Sequence, residues 1–235
     1  MSSITQFGTM QMLVESLLDG FVTAKDMLKA GNTGIGTGAG VDGELILLDG
    51  KAYQVNGKGQ VQEVADDFPV VFGDVHQAAY QVLGQYENQS FEDLSSDIFQ
   101  AVGSQNLFLS VKITGDFQHV QTRSAQKSEK PYPGLGEIAE KQMIFNQDNV
   151  SGTMVGYYTP SLYEGVGVPG FHMHFLSDQK DFGGHVLDSQ LKDVEVSIQI
   201  LDGLDVKLPI NNRDYKQTDL SHLDHLSQVI HAAES

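Results

Sequence analysis

The stretch Gly170-Phe-His-Met-His-Phe-Leu-Ser-Asp-Gln-Lys-Asp-Phe-Gly-Gly-His-Val-Leu-Asp188 carries three of the chain's eight histidines within fourteen residues. An extended chain repeats every two residues, so His172 and His174 share a face if Phe171 to Leu176 is a strand. The polar run from Ser177 to Asp181, ending in Gly183-Gly184, predicts a hairpin loop, with His185 opening the return strand. A loop symmetric about Gln179 and Lys180 sets His174 opposite His185, and opposed residues bring their side chains to roughly 5 Å. Three imidazoles then converge, the ligand pattern of a catalytic metal site that keeps a position for water or substrate. Zinc is the default ion, and imidazole also suits iron, copper or nickel.

Composition narrows the chemistry around that hairpin. A chain of 235 residues with 40% hydrophobic content can bury a sizeable core as one large domain or two small ones. The net charge of -17, with Arg123 and Arg213 as the two arginines, argues against nucleic acid or an anionic membrane surface as a partner. With no cysteine, disulfides, thiolate ligands and sulfur nucleophiles are excluded, and a metal depends on nitrogen and oxygen donors. No basic start leads into an apolar core and cleavage site, and no run approaches a membrane span, which predicts a soluble cytoplasmic protein.

Apolar spacing predicts two short helices over Met10 to Leu18 and Phe21 to Leu28, the second ended by Gly31. The glycine run from Gly31 to Gly40 lacks a Gly-Lys-Ser/Thr ending and reads as a strand or turn, not a phosphate loop. Gly43 to Val55 is a hairpin through Asp49-Gly50, with Glu44 at its start as a solvent-facing edge residue. Pro69 marks an edge or a bend. Ser90 caps a helix carrying Leu94, Ile98 and Val102, closed by Gly103 or Asn106. Leu107 to Ile113 and Phe117 to Arg123 read as a second hairpin, and Glu137 to Phe145 as a helix. Strands follow over Ser151 to Pro160, Val194 to Leu201 and Leu204 to Ile210, then a helix over Asp219 to Ala233 in which His222 and His225 are surface residues. His76, His119 and His231 read as structural. The fold class is α/β of the α+β kind, a two-part, sheet-rich structure with mixed and antiparallel sheets flanked by a few helices. Its parts are residues 1–135 and residues 136–235, tightly associated, the second carrying the histidine hairpin.

Three neutral histidines leave a metal close to its full charge, suited either to activating water or to acting as an electron sink for loss of CO2 from a 3-keto acid. Gly170-Phe-His-Met-His-Phe175 and Gly183-Gly-His-Val-Leu-Asp188 resemble the paired signature of bacterial α-acetolactate decarboxylases. Similar too are Asp42-Gly-Glu-Leu-Ile-Leu-Leu-Asp-Gly-Lys-Ala-Tyr53, Lys130-Pro-Tyr132 with its preceding arginine, Gly152-Thr-Met-Val-Gly-Tyr157 with Thr159-Pro160, and Pro209-Ile-Asn-Asn212. The likeness covers nearly the whole chain in the family's order. It departs at Arg123-Ser-Ala-Gln126, where some relatives place proline two or three residues after the arginine.

The resemblance implies conversion of 2-acetolactate to acetoin and CO2 by a homodimer with one zinc ion per subunit and no organic cofactor. His172, His174 and His185 would be the zinc ligands. Glu44 matches the family's active-site glutamate, Arg123 its arginine, and Glu234 the glutamate that its C-terminal tail brings to the metal. In this reading zinc polarises the ketone and hydroxyl oxygens and stabilises an enediolate, while Glu44 takes the hydroxyl proton or orients the substrate and Arg123 faces the developing oxyanion or helps deliver a proton. The competing readings are a cupin-like oxygenase or isomerase, which expects an added carboxylate soon after the first two histidines, and a binding module stapled by zinc, which expects a fourth local ligand. Asp178 is the acid nearest those histidines in sequence.

Overall fold

The structure, a computed structural model, describes residues 2–221. In chain order its first elements are β1 (Ser3–Phe7), α1 (Met10–Val14), β2 (Val22–Thr23), α2 (Ala24–Ala30), β3 (Thr33–Gly38), β4 (Asp42–Leu48), β5 (Lys51–Val55), β6 (Val61–Glu63) and β7 (Pro69–His76). There follow β8 (Gln81–Glu87), α3 (Phe91–Val102), β9 (Phe108–Ser124), α4 (Leu135–Glu140), β10 (Met143–Thr159), β11 (Gly170–Ser177), β12 (Gly183–Leu201), β13 (Gly203–Lys207) and α5 (Arg213–Gln217). They form a mixed sheet and an antiparallel sheet with short helices, the class the sequence predicts.

The mixed sheet runs β13-β1-β7-β3-β4-β5-β6, with β2 on β7 and the β1/β13 pair parallel. Local chemistry sets its turns. Asp49 and Gly50 both take positive φ, 52° and 77°, as a two-residue turn between twisted strands requires. The glycine run is the buried strand β3: a Cβ on Gly36 would lie 2.5 Å from the Phe72 carbonyl oxygen on β7, so the strands pack this closely because the side chain is missing. Thr23 and Asp26 form a reciprocal capping box that starts α2, later than the helical spacing predicts, because Val22 and Thr23 pair with β7. Pro69 opens β7, which lies inside the sheet, so it marks a strand start and not an edge.

The antiparallel sheet runs β11-β10-β9-β12-β8, and β11 also pairs with β12, so β9, β10, β11 and β12 close on one another. Phe117, Phe175, Met154 and Leu191 fill one face under Leu94 and Ile98 of α3, which is capped by Ser90 and ended by Gly103 in the left-handed conformation as predicted. The other face meets the mixed sheet through Ile4, Ile35, Ile46, Val155, Tyr157 and Leu176.

Two predicted elements are corrected. Leu107 to Ile113 and Phe117 to Arg123 are one strand, β9: Gly115 pairs with Gly152 and Val194 at a φ of 146° open to glycine, a Cβ there would meet the Asp193 carbonyl oxygen at 2.3 Å, and β12 shifts register nearby. The helix predicted over Glu137 to Phe145 stops at Glu140, and Met143 already pairs with Ser124 as the start of β10. Strand β8, unread in the sequence, pairs with β12. No helix among the described residues is long and apolar enough to cross a membrane.

Candidate metal centre

The site is laid out by cross-strand register. His174 on β11 stands opposite His185 on β12, as the hairpin symmetry predicts, and His185 stands opposite Arg123 on β9, so three candidate side chains form one row. His172 joins them two residues before His174. The turn lies over Ser177 to Phe182, whereas Gly183 and Gly184, predicted to end the loop, pair as strand with Leu176 and Phe175. One nitrogen from each of His172, His174 and His185 lies within 4.8 Å of the others, and the Nε2 atoms of His172 and His174 are 3.2 Å apart.

Glu44 arrives from the other sheet. It follows Gly43, whose φ of 69° turns the chain and whose carbonyl accepts from the Thr37 hydroxyl at 2.7 Å; Thr37 is also the cross-strand partner of Glu44. Glu44 is 8% exposed, not the solvent-facing residue its position suggests, and its Oε2 lies 3.3 Å from His174 Nε2.

Hydrogen bonding and burial favour the neutral form of His174 and His172. His174 donates from Nδ1 to the Leu45 carbonyl oxygen at 3.0 Å, and a carbonyl only accepts, so the proton sits on Nδ1 and Nε2 presents a lone pair. Burial foremost, with His172 and Arg123 adding to it, holds the His174 pKa well below its ordinary value against the opposing effect of the Leu45 carbonyl. Burial, then the Arg123 charge, lowers His172 to about 3. The Glu44–His174 contact is therefore not an ion pair between charged partners. A Glu44 oxygen faces a nitrogen lone pair, a contact that a proton or a metal cation between them satisfies, and neutral imidazoles are the form that ligates metals. The donor set fits a metal ion.

The centre opens into a cavity. Its polar lining is His172, His185, Glu44, Arg123, Thr37 and Gln142, and Met10, Leu13, Val41, Phe72 and Leu135 form an apolar wall. Gln142 accepts a hydrogen bond from Arg123 Nη1. Sequence reasoning missed Gln142 because it fell inside a predicted helix, and missed Thr37 and the Leu45 carbonyl because nothing in their spacing signals a site. Asp178 is exposed on the hairpin turn, away from the carboxylate position a cupin-like reading needs. His76 is buried, its Nδ1 2.8 Å from the Tyr157 hydroxyl, and His119 pairs with Asp148 at 2.6 Å on the surface. Glu234, His222, His225 and His231 lie outside the described residues.

The family model described as alpha-acetolactate decarboxylase matches residues 4–222. The chain belongs to the α-acetolactate decarboxylase family. The alpha-acetolactate decarboxylase of Lactococcus lactis subsp. lactis is 38% identical over 235 residues, covering 99% of this chain and 98% of its own, and that of Bacillus subtilis is 34% identical, covering 97% and 89%. The crystal structure of the α-acetolactate decarboxylase from Bacillus subtilis strain 168 superposes with a TM-score of 0.95 at 34% identity over the full length of both chains. A Staphylococcus aureus protein of unknown function, described as similar to alpha-acetolactate decarboxylase, gives the same TM-score at 34% identity, covering 99% of this chain and 100% of its own. Membership of the α-acetolactate decarboxylase family displaces the cupin-like and stapled-module readings.

Proposed function

We propose that this member of the family decarboxylates 2-acetolactate to acetoin, with zinc held by His172, His174 and His185. The observation that carries the reading is the meeting of three buried imidazoles with Glu44 and Arg123 in one cavity, although the residues come from both sheets. A bound zinc ion would supply Lewis-acid charge for the ketone and hydroxyl oxygens of the substrate.

The chain's own residues do the rest. The substrate anion enters a cavity whose fixed positive group is Arg123, only 6% exposed, so the carboxylate meets that charge where water screens it little. Glu44 sits where it can accept the 2-hydroxyl proton or hold that hydroxyl in place. Breaking the bond to the carboxylate releases CO2 and leaves the electron pair delocalised into the former ketone as an enediolate, whose charge Arg123 faces. One proton added at carbon 2, with return to oxygen of any proton that Glu44 has taken from the hydroxyl, completes acetoin. The apolar wall from α1 and α4 accommodates the two methyl groups and limits competing water. Glu234 is carried in this reading as a further residue from the tail, as are a homodimeric assembly and a cytoplasmic location.

Purified protein of measured metal content, incubated with racemic acetolactate, is expected to release CO2 and acetoin in equal amounts, and a chelator to stop both until zinc is restored. Chelator-insensitive turnover removes the metal from the reading, and no turnover with zinc present removes the reaction. Sedimentation velocity tests the dimer.

A further inference from the structure

Among the described residues Arg123 is the one fixed cation lining the cavity, and what holds its guanidinium decides where that charge points. Its backbone sits in β9 between His185 and Ile144. Gln142 stands two residues before Ile144, just ahead of β10, and its backbone N–H still bonds to Ala139 at the end of α4. The side-chain oxygen of Gln142 accepts from Arg123 Nη1 at the cavity wall. Helix α4 is in turn docked through Leu135 and Ile138 against Met10, Leu13, Val41 and Phe72. A packed helix end therefore holds an acceptor against the arginine.

We propose that Gln142 is the positioning residue for Arg123, and that an amide serves there because it orients the guanidinium without cancelling its charge. A guanidinium carries five donors in a rigid plane, so one bond from Nη1 to a fixed acceptor sets the direction of the others. A carboxylate at this position would orient it as well. It would also bind the charge as an ion pair and leave less for an anionic substrate in a cavity with little solvent. The neutral amide orients the guanidinium and itself takes none of its charge. This inference rests on the decarboxylase reading, since that reaction supplies an anionic substrate and a developing oxyanion for the guanidinium to meet.

The test uses the zinc-loaded full chain. Gln142→Met keeps the length of the side chain and removes the acceptor; Gln142→Glu keeps the acceptor and adds charge. For Gln142→Met, zinc content and thermal midpoint are expected to match the parent while kcat and kcat/KM fall together by about 100-fold, the mark of a misplaced group that acts in the transition state. For Gln142→Glu, activity is expected to be low at neutral pH and to recover as the introduced carboxyl is protonated, adding a limb to the pH profile that the parent lacks. An activity-independent reading comes from ¹⁵N spectra of the guanidinium groups. The chain has two arginines, so Arg213→Lys leaves the Arg123 signals alone. Resolved, slowly exchanging Nη signals are expected with Gln142 and averaged ones in Gln142→Met. The proposal is overturned by parental kcat/KM or unchanged ¹⁵N spectra in Gln142→Met, by a parental pH profile in Gln142→Glu, or by loss of zinc and stability in both variants, which would make Gln142 structural. If the parent itself does not turn over acetolactate, the functional reading fails, and the spectra still decide whether Gln142 holds Arg123.

Discussion

His174 reaches across the gap between the two sheets to donate its Nδ1 proton to the Leu45 carbonyl at 3.0 Å, so the residue after Glu44 sets the tautomer of a histidine 129 positions further on. The backbone of one sheet thus prepares the Nε2 lone pair of a candidate ligand on the other, and under the proposed function metal affinity depends on how the sheets pack.

Metal binding should therefore stabilise the folded chain. At zinc concentrations about 1,000 times the dissociation constant, linkage gives about 4 kcal/mol, seen as a higher thermal midpoint than in chelated protein. In His174→Ala the difference between zinc-loaded and chelated samples is expected to vanish. Calorimetry with and without chelator measures it, and an undiminished difference in the variant would show that zinc binds elsewhere.

Arg123→Ala is expected to keep its zinc, because the three histidines remain, and to lose about 10²- to 10³-fold in kcat, the usual effect of removing one donor to a developing oxyanion. Metal analysis of the variant alongside its rate of CO2 release separates the two roles. Normal turnover would take Arg123 out of the mechanism.

Asp74 and His76 share a face of β7 and give the chain two opposed pH dependences. Burial raises the Asp74 carboxyl to about 7 and lowers His76 to about 4. The Asp74 pKa lies above its ordinary 3.8, so its contribution to stability is fully present below about 3.8 and is lost as pH rises through about 7. The His76 pKa lies below its ordinary 6.5, so its contribution is present above 6.5 and is lost as pH falls through about 4. Asp74→Asn removes the first dependence. Its stability relative to the parent is expected to grow by roughly 2–3 kcal/mol between pH 5 and pH 8, measured by urea unfolding at both. A constant difference across that window would refute the assignment.

Gly184 holds β12 against β9 where His185 meets Arg123. A Cβ there would lie 2.6 Å from the Arg123 carbonyl oxygen, at a φ of 131°. Gly184→Ala is expected to cost about 1–3 kcal/mol by overpacking and to lower zinc content as the two strands part. A Cβ added at Gly136 in α4 would meet nothing within 4 Å, so Gly136→Ala is the control, expected to stabilise by about 0.5–1 kcal/mol.

Much of this was legible before the fold. The pairing of His174 with His185 follows from a symmetric loop and the period of a strand, and Asp49-Gly50 and Ser90 with Gly103 announce their turn and helix through local backbone chemistry. The errors fall where local pattern met a tertiary constraint. Thr114-Gly115-Asp116 has the composition of a turn, yet strands on both sides keep it extended. Gln142 lies in a helix-like stretch, yet pairing of Met143 with Ser124 ends the helix and leaves the amide facing Arg123.

What the sequence determined by itself is the three-histidine half of the candidate site, because two residues of spacing and one hairpin suffice to bring three imidazoles onto a face. Only the tertiary structure decided which groups surround them. Glu44, the Leu45 carbonyl, Arg123 and Gln142 come from three further segments, and their distances depend on how two sheets stack and where a strand cuts a helix short. Those outcomes are set by the burial of apolar faces far from the site, and no local spacing records them.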